Sequence, residues 1–268
     1  MSILYLVATP IGNMEDITLR ALNTLRAADV IACEDTRHSA LLLNRYEIKK
    51  PLVSYHKHNE KERTEDIIKL LDEGKAVAVI SDAGMPCVSD PGAVVVTAAR
   101  EKGHTVTVIP GPSAVVSAVS LAGIDTGFVF IGFLPDKLKS RTEIINNLKG
   151  VDLPLIFYAS PHDLMDLAAF LLEHLGGREV YIVKEITKVF ESVIKTSLDN
   201  FDVGEPRGEY VVIVMPMVKS PDIETPPREQ VLALINSGID KKEAIKRVAK
   251  NLGVNKNEIY QSVMDIKE

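Results

Sequence analysis

Five short apolar runs divide the first 110 residues, and each is followed by a polar or glycine-rich loop and then by a helical pattern. The runs are Ile3–Ala8, Val30–Cys33, Leu52–Tyr55, Val77–Ile80 and Thr105–Ile109. The helical patterns between them are Thr18–Ala27, with Asp16 or Thr18 available as a cap, a short one at Ala40–Leu43, Glu60–Asp72 closed by Gly74, and Ala93–Lys102. A small-residue helix runs from Ala114 to Ala122. Strands that alternate with helices imply parallel βαβ units and a doubly wound sheet. In such a sheet the carboxyl ends of the strands share one edge, and that edge is where open α/β sheets bind ligands.

The second half is less regular. Phe128–Phe133, Leu153–Tyr158, Glu179–Lys184 and Gly208–Met215 read as strands, with Val193–Thr196 as a further candidate. Thr142–Leu148 and Asp163–Leu175 read as helices, so a mixed sheet is expected. Gly123–Gly127 looks like a joint, and the prolines at 216, 221, 226 and 227 mark a linker. Three short helical patterns follow, Arg228–Ser237, Lys241–Leu252 and Lys256–Ile266. The expected organisation is therefore an α/β protein with domains over residues 1–123 and 124–218, a cleft between them, and a helical module over 226–268. That module has a helix-turn-helix pattern, which a dimerisation or capping element explains as well as nucleic-acid binding does.

Composition excludes several classes. A formal net charge of −6 argues against coating nucleic acid through bulk charge. Local basic excesses exist but are small: Glu34–Arg63 has seven Lys or Arg against five Asp or Glu. Two cysteines, Cys33 and Cys87, make neither a disulfide framework nor a zinc site. No apolar run is long enough to span a membrane, and the first residues lack the pattern of an export signal. A cytoplasmic protein is expected.

The expected edge gathers Thr9–Asn13, Glu34–Arg37, His56–Asn59, Ser81–Pro86 and Pro110–Ala114. The richest segment is Ser81–Gly92, Ser-Asp-Ala-Gly-Met-Pro-Cys-Val-Ser-Asp-Pro-Gly, which puts a carboxylate and a pliable backbone beside a strand end. Gly111–Ala114 starts a helix with free backbone N–H groups, suited to a carboxylate or phosphate. Ala114, Ser117 and Ala118 let a flat group approach closely, and Asp82 suits an amino group or ribose hydroxyls. The combination fits a nucleoside that carries an amino-acid tail. The dinucleotide fingerprint, the P-loop, H-E-x-x-H and G-x-S-x-G are all absent. His56 and His58 with Asp35 have metal-ligand types, but a polar loop beside Lys57 is ordinary surface, and no metal is expected.

Leu4–Asn13, Glu34–Arg37, His58–Glu60, Ser81–Gly92, Pro110–Ala114, Gly132–Pro135, Phe157–Tyr158, Glu185–Lys188 and Gly208–Glu209 occur in the order of a known family. On these segments the chain resembles the tetrapyrrole-methylase superfamily, the class III S-adenosylmethionine-dependent methyltransferases. The Asp35-Thr36-Arg37 and Ser81–Gly84 motifs resemble its bacterial branch that methylates 16S rRNA. The resemblance implies transfer of a methyl group from S-adenosylmethionine to a cytidine ribose 2′-hydroxyl of 16S rRNA in the small ribosomal subunit, by a homodimer. It implies a cofactor crevice between the domains, lined by Pro10, Gly12, Asp82, Ala83, Gly84, Gly111, Ser113 and Ala114 on one side. Phe157, Tyr158 and Ser160 would close it, although neighbours on a strand face opposite ways, so one of Phe157 and Tyr158 is core.

A ribose hydroxyl needs a proton acceptor, and Asp35, His56, His58 and Glu185 are candidates by type. Asp35, His58 and Glu185 are taken as catalytic. Thr36, Arg37, His56, Lys57, Asn59 and Lys188 are taken to face the substrate. For Asp35 and Arg37 a local ion pair or helix cap is an equal alternative. The chain departs from the family's usual residues at Ala159 and Asp163, where Glu and Arg are usual, and at Met85, where Thr is usual. Two other readings stay open: a methyltransferase for a tetrapyrrole-type small molecule, and an RNA-binding assembly factor without transfer.

Overall fold

A computed structural model describes residues 2–217, 226–236 and 239–264. Most of the expected linker lies outside the described residues, as do Ser237, Gly238 and the end of the last expected helix. The chain forms two compact units, Met1–Pro216 and Met217–Glu268. Among the described residues, no helix is long and apolar enough to cross a membrane.

The first sheet contains β1 (Ile3–Val7), β2 (Val30–Cys33), β3 (Leu52–Ser54), β4 (Ala76–Ile80) and β5 (Thr105–Ile109). All pairings are parallel, in the order β3-β2-β4-β1-β5. Helices α1 (Leu19–Ala27), α2 (Thr36–Arg45), α3 (Glu60–Asp72) and α4 (Ala93–Glu101) connect them. Leu25, Leu42 and Leu43 bury one face of the sheet with Ile31 and Ala78. Ile67, Leu71, Val95 and Ala99 bury the other face with Leu4 and Val79. Coverage on both faces explains why the central strands are continuous apolar runs rather than alternating ones.

Helix starts account for most differences from the sequence expectation. Thr18 is the cap of α1, its hydroxyl accepting from Ala21 N at 3.0 Å. Helix α2 begins at Thr36 rather than Ala40, because the Asp35 carboxylate accepts from Arg37 N at 2.8 Å and supplies the missing cap. The Asp-Thr-Arg motif is thus a helix start and not an extended loop.

The second sheet contains β6 (Val129–Gly132), β7 (Leu155–Ala159), β8 (Glu179–Lys184), β9 (Ser192–Ser197) and β10 (Tyr210–Val214), in the order β6-β7-β10-β8-β9. Only β6 and β7 are parallel, so the sheet is mixed as expected. One face is covered by α6 (Leu138–Leu148) and α7 (Leu164–Leu175) through Ile145, Leu167 and Leu171. The other is covered by α5 (Ala114–Leu121), which leaves the first sheet and packs Val115, Ala118 and Val119 on Ile156, Val211 and Ile213. Fully buried Ala118 lets that helix lie close to the strands.

The C-terminal unit holds α8 (Pro227–Asn236), α9 (Lys241–Leu252) and α10 (Lys256–Ser262). Asp240 and Asn255 cap the last two helices, and Gly253 ends α9 in the left-handed conformation at φ 65°. Val231, Ile245, Val248, Ile259 and Val263 form its own core.

At the carboxyl edge of the first sheet, Thr9 forms an antiparallel bridge with Gly84. The two backbone hydrogen bonds are 2.9 and 3.1 Å long, and the buried Thr9 hydroxyl donates to Ser81 O at 3.1 Å. Thr9→Val keeps the shape and strands the Ser81 carbonyl. Urea unfolding should show a loss of about 1–3 kcal/mol, with the far-ultraviolet dichroism unchanged.

Candidate functional site

The loops after β1, β4 and β5 meet the loops of the second sheet around a cavity of about 470 Å³. Its first wall is Asp82, Ala83, Gly84, Asp90, Ser113 and Ala114; its second includes Phe133, Tyr158, Ser160 and Glu209. Much of the first wall is backbone. Gly84 has φ +78°, and a Cβ there would come within 3.3 Å of Ile11 Cγ2. Tyr158 stacks edge-on with Phe130 and Phe133, at 5.0 and 5.4 Å between ring centroids. Burial pushes its phenol up to about 12, so it is a neutral wall.

Three carboxyls converge on this edge. Burial, then the charges of Glu34 and Asp82, push Asp90 up to about 6, with a hydrogen bond from Ser81 opposing them. Glu34 is raised by burial and by Asp82, with His56 opposing. Asp82 Oδ1 accepts from Asp35 N at 3.2 Å, which fixes its direction. Among the described residues, no ion pair holds Asp82 or Asp90. A cavity with flat apolar walls and unpaired carboxylates fits a nucleoside with a cationic tail, and therefore fits S-adenosylmethionine.

The segment carrying Asp90 is held in an unusual shape. Cys87 and Ser89 have φ of 69° and 68°, the left-handed region that non-glycine residues rarely adopt. Gly92 N donates to Glu60 Oε1 at 2.9 Å, and Glu60 is braced by Tyr55 Oη at 3.0 Å. A side chain at Gly132, on the second sheet, would collide with the Ser89 hydroxyl.

A second cavity of about 340 Å³ lies on the α2 side of the same edge. Pro10, Gly12, His38, Ser39 and Lys188 line it, and it shares Ile11, Asp82, Ala83 and Glu209 with the first. A third, shallower hollow runs along Thr18, Gly111, Val116 and Leu121.

The expected residues therefore separate. Asp82, Ala83, Gly84, Ser113, Ala114, Tyr158 and Ser160 come together in the first cavity. Pro10 and Gly12 line the second and Gly111 the third. Phe157 is corrected: it is fully buried with Leu164 and Leu171 behind the sheet, because Tyr158 takes the cleft side. Thr36, His56, Lys57, His58 and Asn59 line none of these cavities. Asn59 serves its own loop, accepting from His56 N at 2.8 Å and donating to Ser54 O at 3.2 Å.

The expected proton acceptors are largely occupied. Asp35 is bound by the Arg37 guanidinium at 3.2 Å and by the Arg37 amide. The hydrogen bonds from Arg37 hold its carboxyl below the usual range. Glu185 accepts from Lys188 Nζ at 2.9 Å and from Glu209 N at 3.0 Å. Burial alone would raise it, but those bonds outweigh burial and bring it below the usual range. Lys188 Nζ also reaches Glu209 at 2.9 Å, so it is a clasp between carboxylates rather than a free phosphate ligand. His58 is exposed, with its ring 6.0 Å from that of His56. Glu34, Asp90, Phe133 and Glu209 stand inside motifs already legible in the sequence, but only the folded loops show that Asp90 doubles back to the cavity.

This fold and cleft are those of a methylase. The family model "Tetrapyrrole (Corrin/Porphyrin) Methylases" matches residues 3–202, and the chain belongs to that family. More particularly, it is 42% identical to the Ribosomal RNA small subunit methyltransferase I of Halalkalibacterium halodurans, over 96% of this chain and 93% of that protein. It is 44% identical to the protein of the same name from Thermotoga maritima, over 80% of this chain and 98% of that one. Among solved structures it is similar to a diphthine synthase, with TM-score 0.64 and 16% identity, over 80% of this chain and 89% of that one. The uroporphyrin-III-C-methyltransferase of Thermus thermophilus gives TM-score 0.56 and 23% identity, over 80% and 94%. The last two likenesses concern the fold.

The Asp90 carboxyl sets a test of stability. Its value in the folded chain is above the ordinary one, so below about pH 6 the folded state binds more protons than the unfolded state. Its unfavourable contribution is thus complete above pH 6 and fades as pH falls through that value. Asp90→Asn should raise Tm at pH 8 by a few degrees, and in calorimetry the gain should shrink below about pH 6 and vanish only below about pH 4, the ordinary carboxyl value.

Proposed function

We propose that this methylase transfers a methyl group to the ribose 2′-hydroxyl of a cytidine in 16S rRNA, within the small ribosomal subunit. The observation that carries the reading is the junction of two cavities at Asp82 and Ala83, one suited to a nucleoside with a cationic tail and one open beside it. The names of the relatives supply the RNA, since those proteins are called small subunit rRNA methyltransferases. Bound S-adenosylmethionine supplies an electrophilic methyl group on a sulfonium.

The protein's part is positional and electrostatic. Ala83, Gly84 and Ala114 leave room for the flat nucleoside, and Ser113 stands at the start of α5. Asp90 answers the cationic tail. Asp82, on the wall common to both cavities, accepts a hydrogen bond from the acceptor hydroxyl. Holding the two reactants together supplies most of the rate gain in a reaction whose electrophile is already activated. Asp35 acts by aiming Asp82 through its amide, which is a positioning role. Glu185 acts through Lys188, which presses on Gly12: a Cβ there would lie 2.6 Å from Lys188 Cε.

The same reading includes a cytoplasmic homodimer. Leu19 is 80% exposed, Val108 is exposed where Arg20 donates to its carbonyl, and Val116 and Leu121 are exposed along the third hollow. An apolar surface of this kind suits a partner subunit.

The test uses methyl-labelled S-adenosylmethionine and small subunits that lack the modification. Label on one cytidine 2′-oxygen is expected; label on a base, or on a tetrapyrrole only, would refute the assignment. Asp82→Asn should lower transfer by about 10²-fold or more with cofactor affinity changed less. Asp90→Asn should instead weaken cofactor binding by about tenfold or more at pH 8, read by calorimetric titration.

A further inference from the structure

Among the described residues, none of the C-terminal unit lines the three cavities. The Thermotoga maritima relative is matched over 98% of its own length but over 80% of this chain, so a fifth of this chain has no counterpart there. The unit Met217–Glu268 is a segment of that size. A relative of the same family therefore does without a length of chain equal to this module, which points to a task other than methyl transfer itself.

Helix α9 carries the clearest sign of that task. Ala244, Ile245, Val248 and Ala249 are buried in the unit's own core. The exposed residues of the helix are Lys242, Lys246, Arg247, Lys250 and Asn251, four cations and no anion. The whole chain has 37 Asp or Glu against 31 Lys or Arg, so this face runs against the overall charge. Lys242, Lys246 and Lys250 stand at i, i+4 and i+8, a single stripe with about 6 Å of rise between neighbours. Like charges so placed repel, and an ordinary solvated helix face interleaves the two signs. The one acid of the helix, Glu243, reaches Lys246 at 3.8 Å and Arg247 at 3.3 Å. Among the described residues, Lys242 and Lys250 have no ion-pair partner.

The placement of the charge says what kind of partner fits. Helices α9 and α10 are joined by the turn Gly253-Val254-Asn255, in helix-turn-helix order. In that motif the first helix crosses a phosphate backbone and the second enters a groove. Here the cations lie on the backbone-crossing helix, whereas α10 sets one exposed cation, Lys256, against one exposed anion, Glu258. The surface is thus weighted toward phosphates and away from base edges. An RNA double helix is bound in this way, by shape and backbone, because its narrow major groove is closed to side chains.

Resting on the rRNA reading proposed above, we infer that the C-terminal unit is a second grip on the RNA, in which Lys242, Lys246 and Lys250 neutralise phosphates of a double-helical stretch of the small subunit. It supplies affinity and leaves the chemistry to the cleft. An acidic protein repels a polyanion, and this face offers the attraction that the bulk charge withholds.

The test uses the full-length protein carrying Lys242→Gln, Lys246→Gln and Lys250→Gln together, at exposed positions where Gln keeps the helix propensity of Lys. The Kd for small subunits at about 0.15 M salt should rise at least tenfold. The slope of log affinity against log salt should flatten by about 2 to 3, the share of three phosphates. The Kd for S-adenosylmethionine and kcat at saturating subunits should stay within twofold. Arg at the same three positions keeps the charge and should retain both affinity and slope. A subunit Kd within twofold of that of the unaltered protein would overturn the inference. So would a weaker Kd with an unchanged salt slope, which marks a protein partner or a damaged fold, or a fall in solution mass, which marks a contact between copies of the chain. If the unaltered protein neither bound subunits nor methylated them, the rRNA reading itself would fall, and this inference with it.

Discussion

The pair of hydrogen bonds between Thr9 and Gly84 is the constraint on which the site depends. Two parallel neighbours, β1 and β4, end side by side, and their loops would otherwise diverge. The bridge ties them two residues beyond β1 and four beyond β4, with the Thr9 hydroxyl taking up the Ser81 carbonyl. Because the tie uses backbone atoms, Asp82 and Ala83 are forced out as the crest between two hollows. One carboxylate thereby serves two compartments. The cost of an unmatched buried carbonyl is of order 1–3 kcal/mol, enough to keep the crest in one shape.

The second sheet contributes closure rather than a second set of reactive groups. Helix α5 begins in the wall of the first cavity and buries its far side on β7, β8 and β10. Lys188 adds a polar clasp between Glu185, Glu209 and the flank of Gly12. Thr187 reaches Asp16 from the same loop, at 2.5 Å between oxygens. These contacts hold the cleft with groups that sequence inspection would assign to chemistry. The partners Glu209 and Asp16, 21 and 171 positions away from Lys188 and Thr187, are set by topology and not by local pattern.

This is also why the sequence revealed the fold better than the site. Apolar runs and helical spacing depend on neighbours, so the strands and most helices lie within a residue or two of expectation. The start of α2 was hidden because Asp35 reads equally as a loop carboxylate or a cap, and only the direction of its side chain decides. Phe157 and Tyr158 show the same limit: alternation says that one faces the cleft, and the packing of α7 against β7 says which. Asp82, Gly84 and Ala114 were legible because strand ends and small residues constrain a ligand directly. Asp90 was not singled out, since its approach to Glu34 depends on the left-handed turns at Cys87 and Ser89.

Small residues, Ala83, Gly84, Ser113 and Ala114, make up most of the first wall of the first cavity, whereas α2 shows larger side chains such as His38 to the second. Main-chain shape survives most substitutions, but a helix surface can be rewritten one codon at a time. Such a division lets a lineage keep its methyl donor while trying new acceptors, with each trial confined to a few exposed positions between Thr36 and Leu42. The molecule joins a socket of small residues to a helix surface that substitution can rewrite.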